Sequence, residues 1–155
     1  MRIYILALGD RMPDWVTQGC AEYFKRIGSE LSVELIEVSP EKRGKGADIP
    51  RLMDKEAKRL AAQIPANCIV IALDIQGKSW SSEDLAMRLE QWQQDGRNVC
   101  FLIGGPEGMT KEMLAAADMR VSFSAMTFPH PLVRILLAEQ LYRAYSILNN
   151  HPYHK

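Results

Sequence analysis

The chain has 155 residues, of which 47% are hydrophobic and 25% charged, the usual balance of a soluble globular protein. Nineteen basic and nineteen acidic side chains cancel, so the chain as a whole does not attract nucleic acid. It has no apolar run long enough to span a membrane and no secretion signal at its start. The three cysteines have no C-x-x-C spacing, and Cys68 and Cys100 lie in apolar runs, which indicates buried thiols in a reducing compartment. We therefore expect a cytoplasmic protein, with no membrane segment, that forms a single domain over residues 1–155.

Charge is spread unevenly along this neutral chain. Residues 40–60 have seven Lys or Arg against four acids, and residues 120–155 have four against one, so each segment is +3. Residues 74–118 are −4. The two basic segments either meet in a basic surface, within one chain or across a dimer, or form ordinary solvated faces, and composition does not separate these alternatives.

The first half of the chain alternates strand and helix patterns. Residues 3–8 are an apolar strand that ends at Gly9-Asp10, and Pro13 opens a helix with apolar residues at helical spacing. A second strand is predicted over residues 31–38. The basic loop EKRGKG (41–46) follows it, and a helix over residues 49–64 comes next.

The second half continues the alternation with strands that are apolar on both faces. CIVIAL (68–73) and residues 99–103 read as strands buried on both sides, which favours a parallel sheet. Ser81 and Asp84 form a capping box for a helix that stops at Gly96. The remaining predicted elements are a short helix over 110–117, a strand near 121–124, an irregular segment over 125–131, a helix over 132–148 and a polar tail over 149–155. The fold class predicted is α/β, an open parallel sheet with helices on both faces.

The last predicted helix is apolar around more than one face. Such a helix needs burial on two sides. The second side of the helix is buried either against another subunit of a homodimer or, in a monomer, within a central core. The pattern leaves both possibilities open.

Three strand ends carry loops of unusual composition: LDIQGK (73–78), IGGPEG (103–108) and FSAMTFPHP (123–131). Glycine allows close backbone approach to a ligand, and Leu73, Met126 and Phe128 supply apolar walls. The phosphate-binding and metal-binding spacings are missing, which disfavours nucleoside triphosphates, nicotinamides and catalytic zinc. S-adenosylmethionine needs no phosphate cradle and remains a candidate cofactor; no metal is expected.

All three histidines lie in the last 26 residues. His130, His151 and His154 are accompanied there by Arg134, Tyr142, Arg143, Tyr145 and Tyr153. Histidine, tyrosine and arginine together are typical of RNA contacts, through stacking and phosphate pairing. The alternative is a disordered terminus whose composition has no role.

The segments MPDWV, EKRGKGADI, LDIQGK, LIGGPEG, FPHPLVRILLAEQLYRAYSI and NNHPYHK resemble the ribosomal RNA large subunit methyltransferase H family, the small members of the SPOUT superfamily. The resemblance covers the whole chain. It implies a C-terminal trefoil knot, a homodimer built on the last helix, and methyl transfer from S-adenosyl-L-methionine to N3 of a pseudouridine in 23S ribosomal RNA within the ribosome.

The resemblance also implies site residues. The cofactor residues it implies are Leu73, Gly104, Gly105, Phe123, Ser124, Ala125, Met126, Thr127, Phe128 and Leu132. The family usually has leucine where Met126 and Phe128 stand, and both replacements keep an apolar wall. The candidates for proton transfer or substrate anchoring are His154, Tyr153, Arg143 and His130. Because so small a chain has no separate RNA-binding module, we expect one subunit to supply the cofactor cleft and the other the tail.

Two rival functions remain at this point. One is a flavin or nucleotide enzyme on a flavodoxin-like sheet. The other is a ribosome-binding factor that has the fold but no catalytic activity.

Overall fold

The structure is a computed structural model that describes all 155 residues. Its strands are β1 (Arg2–Leu8), β2 (Ser32–Val38), β3 (Cys68–Ser79), β4 (Asn98–Ile103) and β5 (Met119–Ser122). Its helices are α1 (Asp14–Phe24), α2 (Ile49–Gln63), α3 (Ser82–Gln94), α4 (Lys111–Ala116) and α5 (His130–Leu148), with a 3₁₀ turn at Pro152–His154. All strand pairs are parallel, in the order β2-β1-β4-β3-β5.

Apolar clusters cover both faces of the sheet. On one face, strand residues such as Ile3 and Phe101 pack with apolar side chains of α3 and α5. On the other face, Leu6 and Leu102 pack with Leu60 of α2 and with α4. A strand covered on both faces needs apolar residues at every position, which is why the strands read as continuous apolar runs. The predicted fold class is confirmed.

Helix α3 forms where its capping residues predicted. The Ser81 side chain accepts from the Asp84 backbone N–H at 3.0 Å, and the Asp84 carboxylate accepts from the Ser81 N–H at 2.8 Å. These two bonds satisfy N–H groups that the first helical turn leaves without partners. After the helix, Gly96 takes a positive φ of 65°, as a glycine that ends a helix commonly does.

The predicted loop over residues 73–78 is wrong, because β3 continues to Ser79. Leu73 and Lys78 both pair with Val121 of β5, so the four residues between them bulge out of the ladder. A Cβ at Gly77 would lie 2.5 Å from the backbone nitrogen of Val121, so the bulge requires glycine there. In the bulge, Ile75 is exposed and Asp74 is partly buried, at the edge where open parallel sheets bind ligands.

Helix α5 lies between α1 and α3 on one face of the sheet, and it begins two residues earlier than predicted. Leu137, Leu141 and Ala144 are fully buried against the chain's own core. The apolar character of the helix is therefore explained in large part within one chain. No helix combines the length and the apolarity that crossing a membrane requires.

Candidate functional site

A cleft of about 910 Å³ opens at the carboxyl ends of the strands. Its walls come from the segments that follow β1, β2 and β4, from the bulge in β3, and from residues 121–131 between β5 and α5. Open parallel sheets bind ligands at this edge. The volume lies in the range of small-molecule cofactor sites.

Most of the residues expected to hold a cofactor meet in this cleft. Its lining includes Leu73, Gly104, Gly105, Phe123, Ser124, Met126, Thr127 and Phe128. Ala125 and Leu132 are not among the lining residues, and Leu132 is partly exposed on α5. Met126 is 74% exposed, so it forms part of the rim. Of the four residues expected to act in catalysis, the cleft contains His130 and none of the other three.

The loop after β4, residues 104–109, is shaped by glycine. Gly108 has a φ of 79°, and its N–H donates to the Gly105 carbonyl at 3.0 Å. A Cβ at Gly104 would lie 2.9 Å from the Met109 side chain, and one at Gly105 would lie 2.8 Å from Leu8. Neither position has room for a side chain, so the backbone itself forms this wall of the cleft.

His130, in the first turn of α5, contacts this glycine loop directly. Its Nδ1 lies 2.8 Å from the Gly104 carbonyl oxygen, and its Nε2 lies 3.2 Å from Nε of Arg134. Burial is the main cause that lowers the pKa of His130 below its usual value. The imidazole is therefore neutral at physiological pH, and both ring nitrogens have partners.

Arg134 lies one helical turn after His130 and is 2% exposed. Its Nη2 donates to the Gly9 carbonyl at 2.7 Å, and its Nη1 donates to Glu37 at 2.7 Å. Charge pairing and hydrogen bonds of this kind are what a buried guanidinium requires. Sequence reasoning grouped Arg134 with possible RNA contacts, whereas the structure places it beneath the cleft.

Arg43, in the basic loop after β2, joins that loop to two other elements. Its guanidinium donates to both carboxylate oxygens of Glu56 on α2 at 2.7 and 2.8 Å, and to those of Glu107 in the glycine loop at 2.7 and 3.2 Å. A further bond to the Glu41 carbonyl at 2.8 Å occupies its fifth N–H. Hydrogen bonding to Arg43 lowers the pKa of Glu107. Hydrogen bonding to Glu56 and Glu107 raises the pKa of Arg43. Arg43 thus fixes one wall of the cleft and has no N–H left for a phosphate.

The charged residues that line the cleft are mostly acidic. They are Asp10, Glu41, Asp74 and Glu107, against Arg43 as the one cationic side chain. Glu107 pairs with Arg43 and Glu41 pairs with Arg59 at 2.9 Å, whereas Asp10 and Asp74 have no cationic partner. Arg43 is neutralised by Glu56 and Glu107, so the cleft favours a cationic ligand over a polyphosphate. Asp10 was not predicted as a site residue, although its place directly after the Gly9 that ends the first strand is a usable signal.

The other three candidates for catalysis lie on the second half of α5 and in the tail after it. Arg143 pairs with Glu139 at 2.6 Å, and the Tyr153 hydroxyl donates to the same carboxylate at 3.0 Å. The Arg143 guanidinium stands over the Tyr153 ring, 4.8 Å from its centroid. Burial first, and Glu139 second, raise the pKa of Tyr153 to about 12. We call Glu139, Tyr142, Arg143 and Tyr153 the C-terminal cluster; His154 follows it, exposed and without a hydrogen bond from its ring.

The C-terminal cluster is separated from the cleft along α5. Its helical members, Glu139, Tyr142 and Arg143, lie nine to thirteen residues after His130, which at about 1.5 Å a residue is roughly 14–20 Å along the helix axis. The 3₁₀ turn packs back on this part of the helix, where Tyr153 contacts Glu139 and Tyr142. Neither the cluster residues nor His154 line the cleft of their own chain.

No group of three or more His, Cys, Asp or Glu side chains is placed to bind a metal ion. The three cysteines are free, and Cys20 and Cys100 are buried. Burial raises the pKa of the Cys100 thiol to about 12, so it stays protonated and behaves as a small apolar side chain.

Comparison with known proteins gives a consistent set of similarities. Residues 1–154 match the family model described as "Predicted SPOUT methyltransferase". Proteins named ribosomal RNA large subunit methyltransferase H are 50% identical in Chromohalobacter salexigens and 49% in Pseudomonas fluorescens, each over all of both chains. The protein of that name from Legionella pneumophila is 51% identical over all of this chain and 99% of its own.

Solved structures share the fold at much lower identity. A probable methylase family protein from Haemophilus influenzae has a TM-score of 0.59 at 15% identity, over 96% of this chain and 68% of its own. A putative methylase family protein from Neisseria gonorrhoeae has a TM-score of 0.51 at 14% identity, over 90% and 81%. At such identities the likeness concerns the fold alone.

Proposed function

The chain belongs to the SPOUT methyltransferase family, and from this premise we propose that it transfers a methyl group from S-adenosylmethionine to N3 of a pseudouridine in 23S ribosomal RNA. The observation that carries the proposal is about 50% identity, over the full chain, to proteins named ribosomal RNA large subunit methyltransferase H. The substrate is the RNA within the assembled ribosome, and we place the reaction in the cytoplasm, where ribosomes work.

The chemistry of the cleft supports S-adenosylmethionine as its ligand. A sulfonium carries positive charge, which suits a lining in which Asp10 and Asp74 have no cationic partner and Arg43 is neutralised. Backbone groups of Gly104 and Gly105 lie at one wall, and Leu73 and Phe128 supply apolar surface for an adenine ring. A flavin or nucleotide with phosphates would meet like charge in the same place. When bound, S-adenosylmethionine supplies an already activated methyl group.

The protein must hold the base in line with that methyl group and manage one proton. N3 of a pseudouridine lies between two carbonyls, so its proton is weakly acidic and modest help suffices. We infer that Arg143 and Tyr153 hold the base and the developing anion, because Tyr153 stays protonated at neutral pH and Arg143 is a cation. His154 remains the group that can accept the proton, since its ring is exposed and has no partner in the folded chain.

A homodimer brings these residues to the cleft. Roughly 14–20 Å along α5 separates His130 from the part of the helix that carries the C-terminal cluster, and a second copy can present its tail to the cleft instead. Helices α1, α3 and α5 lie together on one face of the sheet. Each exposes one large apolar side chain: Trp15 on α1, Met87 on α3 and Leu132 on α5. We infer that this helical layer contributes to the dimer interface.

Labelled methyl transfer tests the proposal. Intact ribosomes that lack the modification should become labelled when incubated with the protein and methyl-labelled S-adenosylmethionine, with much less incorporation into protein-free 23S RNA. Ribosome binding without incorporation would identify a binding factor with no catalytic activity. Purified protein with flavin absorbance and no affinity for S-adenosylmethionine would identify the flavin enzyme.

A further inference from the structure

We propose that Arg134 and His130 are positioning residues: Arg134 holds the imidazole of His130 in its Nδ1–H tautomer, and that imidazole fixes the carbonyl of Gly104 in the cleft wall. The inference rests on the proposed function, since it takes this cleft to be the site of the methyl donor. It removes His130 from the groups that could accept the substrate proton.

The guanidinium of Arg134 connects the ends of three strands. It reaches the Gly9 carbonyl after β1 at 2.7 Å and the Glu37 carboxylate in β2 at 2.7 Å. Through His130 it also reaches Gly104, after β4. A residue in the first turns of α5 thus sets the relative positions of the strand ends that line the cleft.

The two hydrogen-bonding partners of His130 determine which of its ring nitrogens carries the proton. A carbonyl oxygen only accepts, so the Nδ1 that faces Gly104 at 2.8 Å must carry the hydrogen. An arginine N–H only donates, so Nε2, which faces Nε and Nη2 of Arg134 at 3.2 and 3.1 Å, must be the acceptor. Proton uptake at Nε2 would break both contacts and place a second cation beside Arg134. His130 is therefore unsuited to act as a general base.

Fixing the Gly104 carbonyl also fixes the next N–H group. The Gly104 carbonyl and the Gly105 N–H belong to one planar trans peptide unit, so they point in opposite directions and turn together. Both residues line the cleft, and neither has a side chain to hold the loop in place. The hydrogen bond from His130 therefore sets the direction of a backbone donor at the cleft wall.

The tautomer can be measured without any ligand. Long-range ¹H–¹⁵N correlation spectra of the histidine rings, with the His130→Asn variant to assign the signals, should show the Nδ1–H tautomer for His130 at neutral pH. Arg134→Lys, which cannot make the same set of contacts, should give a mixed tautomer, whereas Arg51→Lys on the exposed surface should leave the spectrum unchanged. An Nε2–H tautomer or an imidazolium in the wild type would overturn the proposal.

Cofactor affinity then separates positioning from proton transfer. His130→Ala should raise the Kd for S-adenosylmethionine about tenfold, the effect of one hydrogen bond. In His130→Asn the amide N–H can replace the Nδ1–H, so most of the affinity and of the methyl-transfer kcat should return. If His130 were a general base, both variants would bind the cofactor with wild-type affinity, and both would lose kcat to the same extent. If wild type binds no S-adenosylmethionine, the proposed function fails while the tautomer result stands on its own.

Discussion

Two neighbouring glycines at the end of β4, Gly104 and Gly105, leave no room for a side chain. At Gly104 the obstacle is the loop itself, since a Cβ would lie 3.0 Å from the Gly108 backbone. At Gly105 it is the Leu8 side chain of the neighbouring strand. A substitution at Gly104 therefore changes the cleft by moving its wall, even if the new side chain never enters the ligand's space.

We expect Gly104→Val to weaken S-adenosylmethionine binding about tenfold or more, because forcing extra atoms into a packed site costs about 1–3 kcal/mol. Isothermal titration calorimetry measures the effect directly. Gly44→Val is the matched control, since a Cβ at Gly44 meets nothing within 4 Å. Equal affinities in the two variants would show that the glycine loop is not part of the cofactor site.

The buried imidazole of His130 gives a second prediction, for stability against pH. Burial lowers its pKa below the ordinary 6.5, so below that pH the unfolded chain binds a proton that the folded chain does not. The free energy of unfolding should therefore fall as the pH drops below about 6.5, and level off below the folded-state pKa. Urea denaturation at a series of pH values measures this dependence. His130→Asn should lose this part of it, and an unchanged pH profile in that variant would contradict the assignment.

At the scale of elements, Arg43 ties the basic loop, α2 and the glycine loop together. Glu56, one of its two carboxylate partners, is only 3% exposed and also accepts from the Glu41 N–H. Without Arg43, Glu56 would be a buried charge with no cation beside it. The loop therefore owes its position to ion pairs, whereas its sequence left open whether it forms a basic surface or an ordinary solvated face.

We expect Arg43→Ala to lower the free energy of unfolding by about 3 kcal/mol, the usual effect of removing one partner from a buried ion pair. Arg51→Ala, at an exposed position of α2 with no ion pair, should change stability little. Urea denaturation of both variants gives the comparison. If both variants lose equally little stability, the ion pairs of Arg43 with Glu56 and Glu107 stabilise the fold no more than exposed surface pairs do.

The elements that sequence predicts well are those whose signals are local. Apolar runs located the strands, and Ser81 with Asp84 located the start of α3. The bulge in β3 escaped prediction because it depends on Leu73 and Lys78 both pairing with Val121, more than 40 residues away. The role of Arg134 was missed for the same reason, since Glu37 is 97 residues distant in the chain.

At the scale of the molecule, the cleft lies at the start of α5 and the C-terminal cluster lies on its middle and second half, where the tail packs back. Family resemblance identified most of the cleft residues, together with Arg143 and Tyr153, but not Asp10 or Glu139. The separation of the two groups was not predicted, because it depends on the length and direction of one helix in the fold. The trefoil knot, the homodimer and the single-domain organisation stay predictions. The separation makes the dimer testable through activity.

We expect mixed dimers to recover activity from two inactive parents. One parent carries Gly104→Val, and the other lacks residues 151–155. A composite site predicts that one of the two clefts in the mixed dimer pairs an intact glycine loop with the other chain's intact tail. Methyl transfer to ribosomes should return to about half of the wild-type rate, because one of the two sites is complete.

The controls for this experiment are the parents themselves. The tail deletion should keep its fold and its affinity for S-adenosylmethionine, because no tail residue lines the cleft of its own chain. Sedimentation should give twice the 17.6 kDa chain mass for both parents and for the mixture. Mixed dimers that stay inactive, with folded parents, would place the tail in its own chain's site.

The length of helix α5 then sets the distance and the direction from the cleft to the tail. Arg134, one turn into the helix, anchors it to three strand ends, and the proposed composite site requires the end of the helix to present the tail to the partner's cleft. Inserting one residue in the middle would advance the tail by only about 1.5 Å but rotate it by about 100° around the helix axis. The tail would keep its sequence, yet in the proposed dimer its side chains would point away from the partner's cleft. Natural variation in this family should therefore tolerate substitutions along α5 far better than changes in its length.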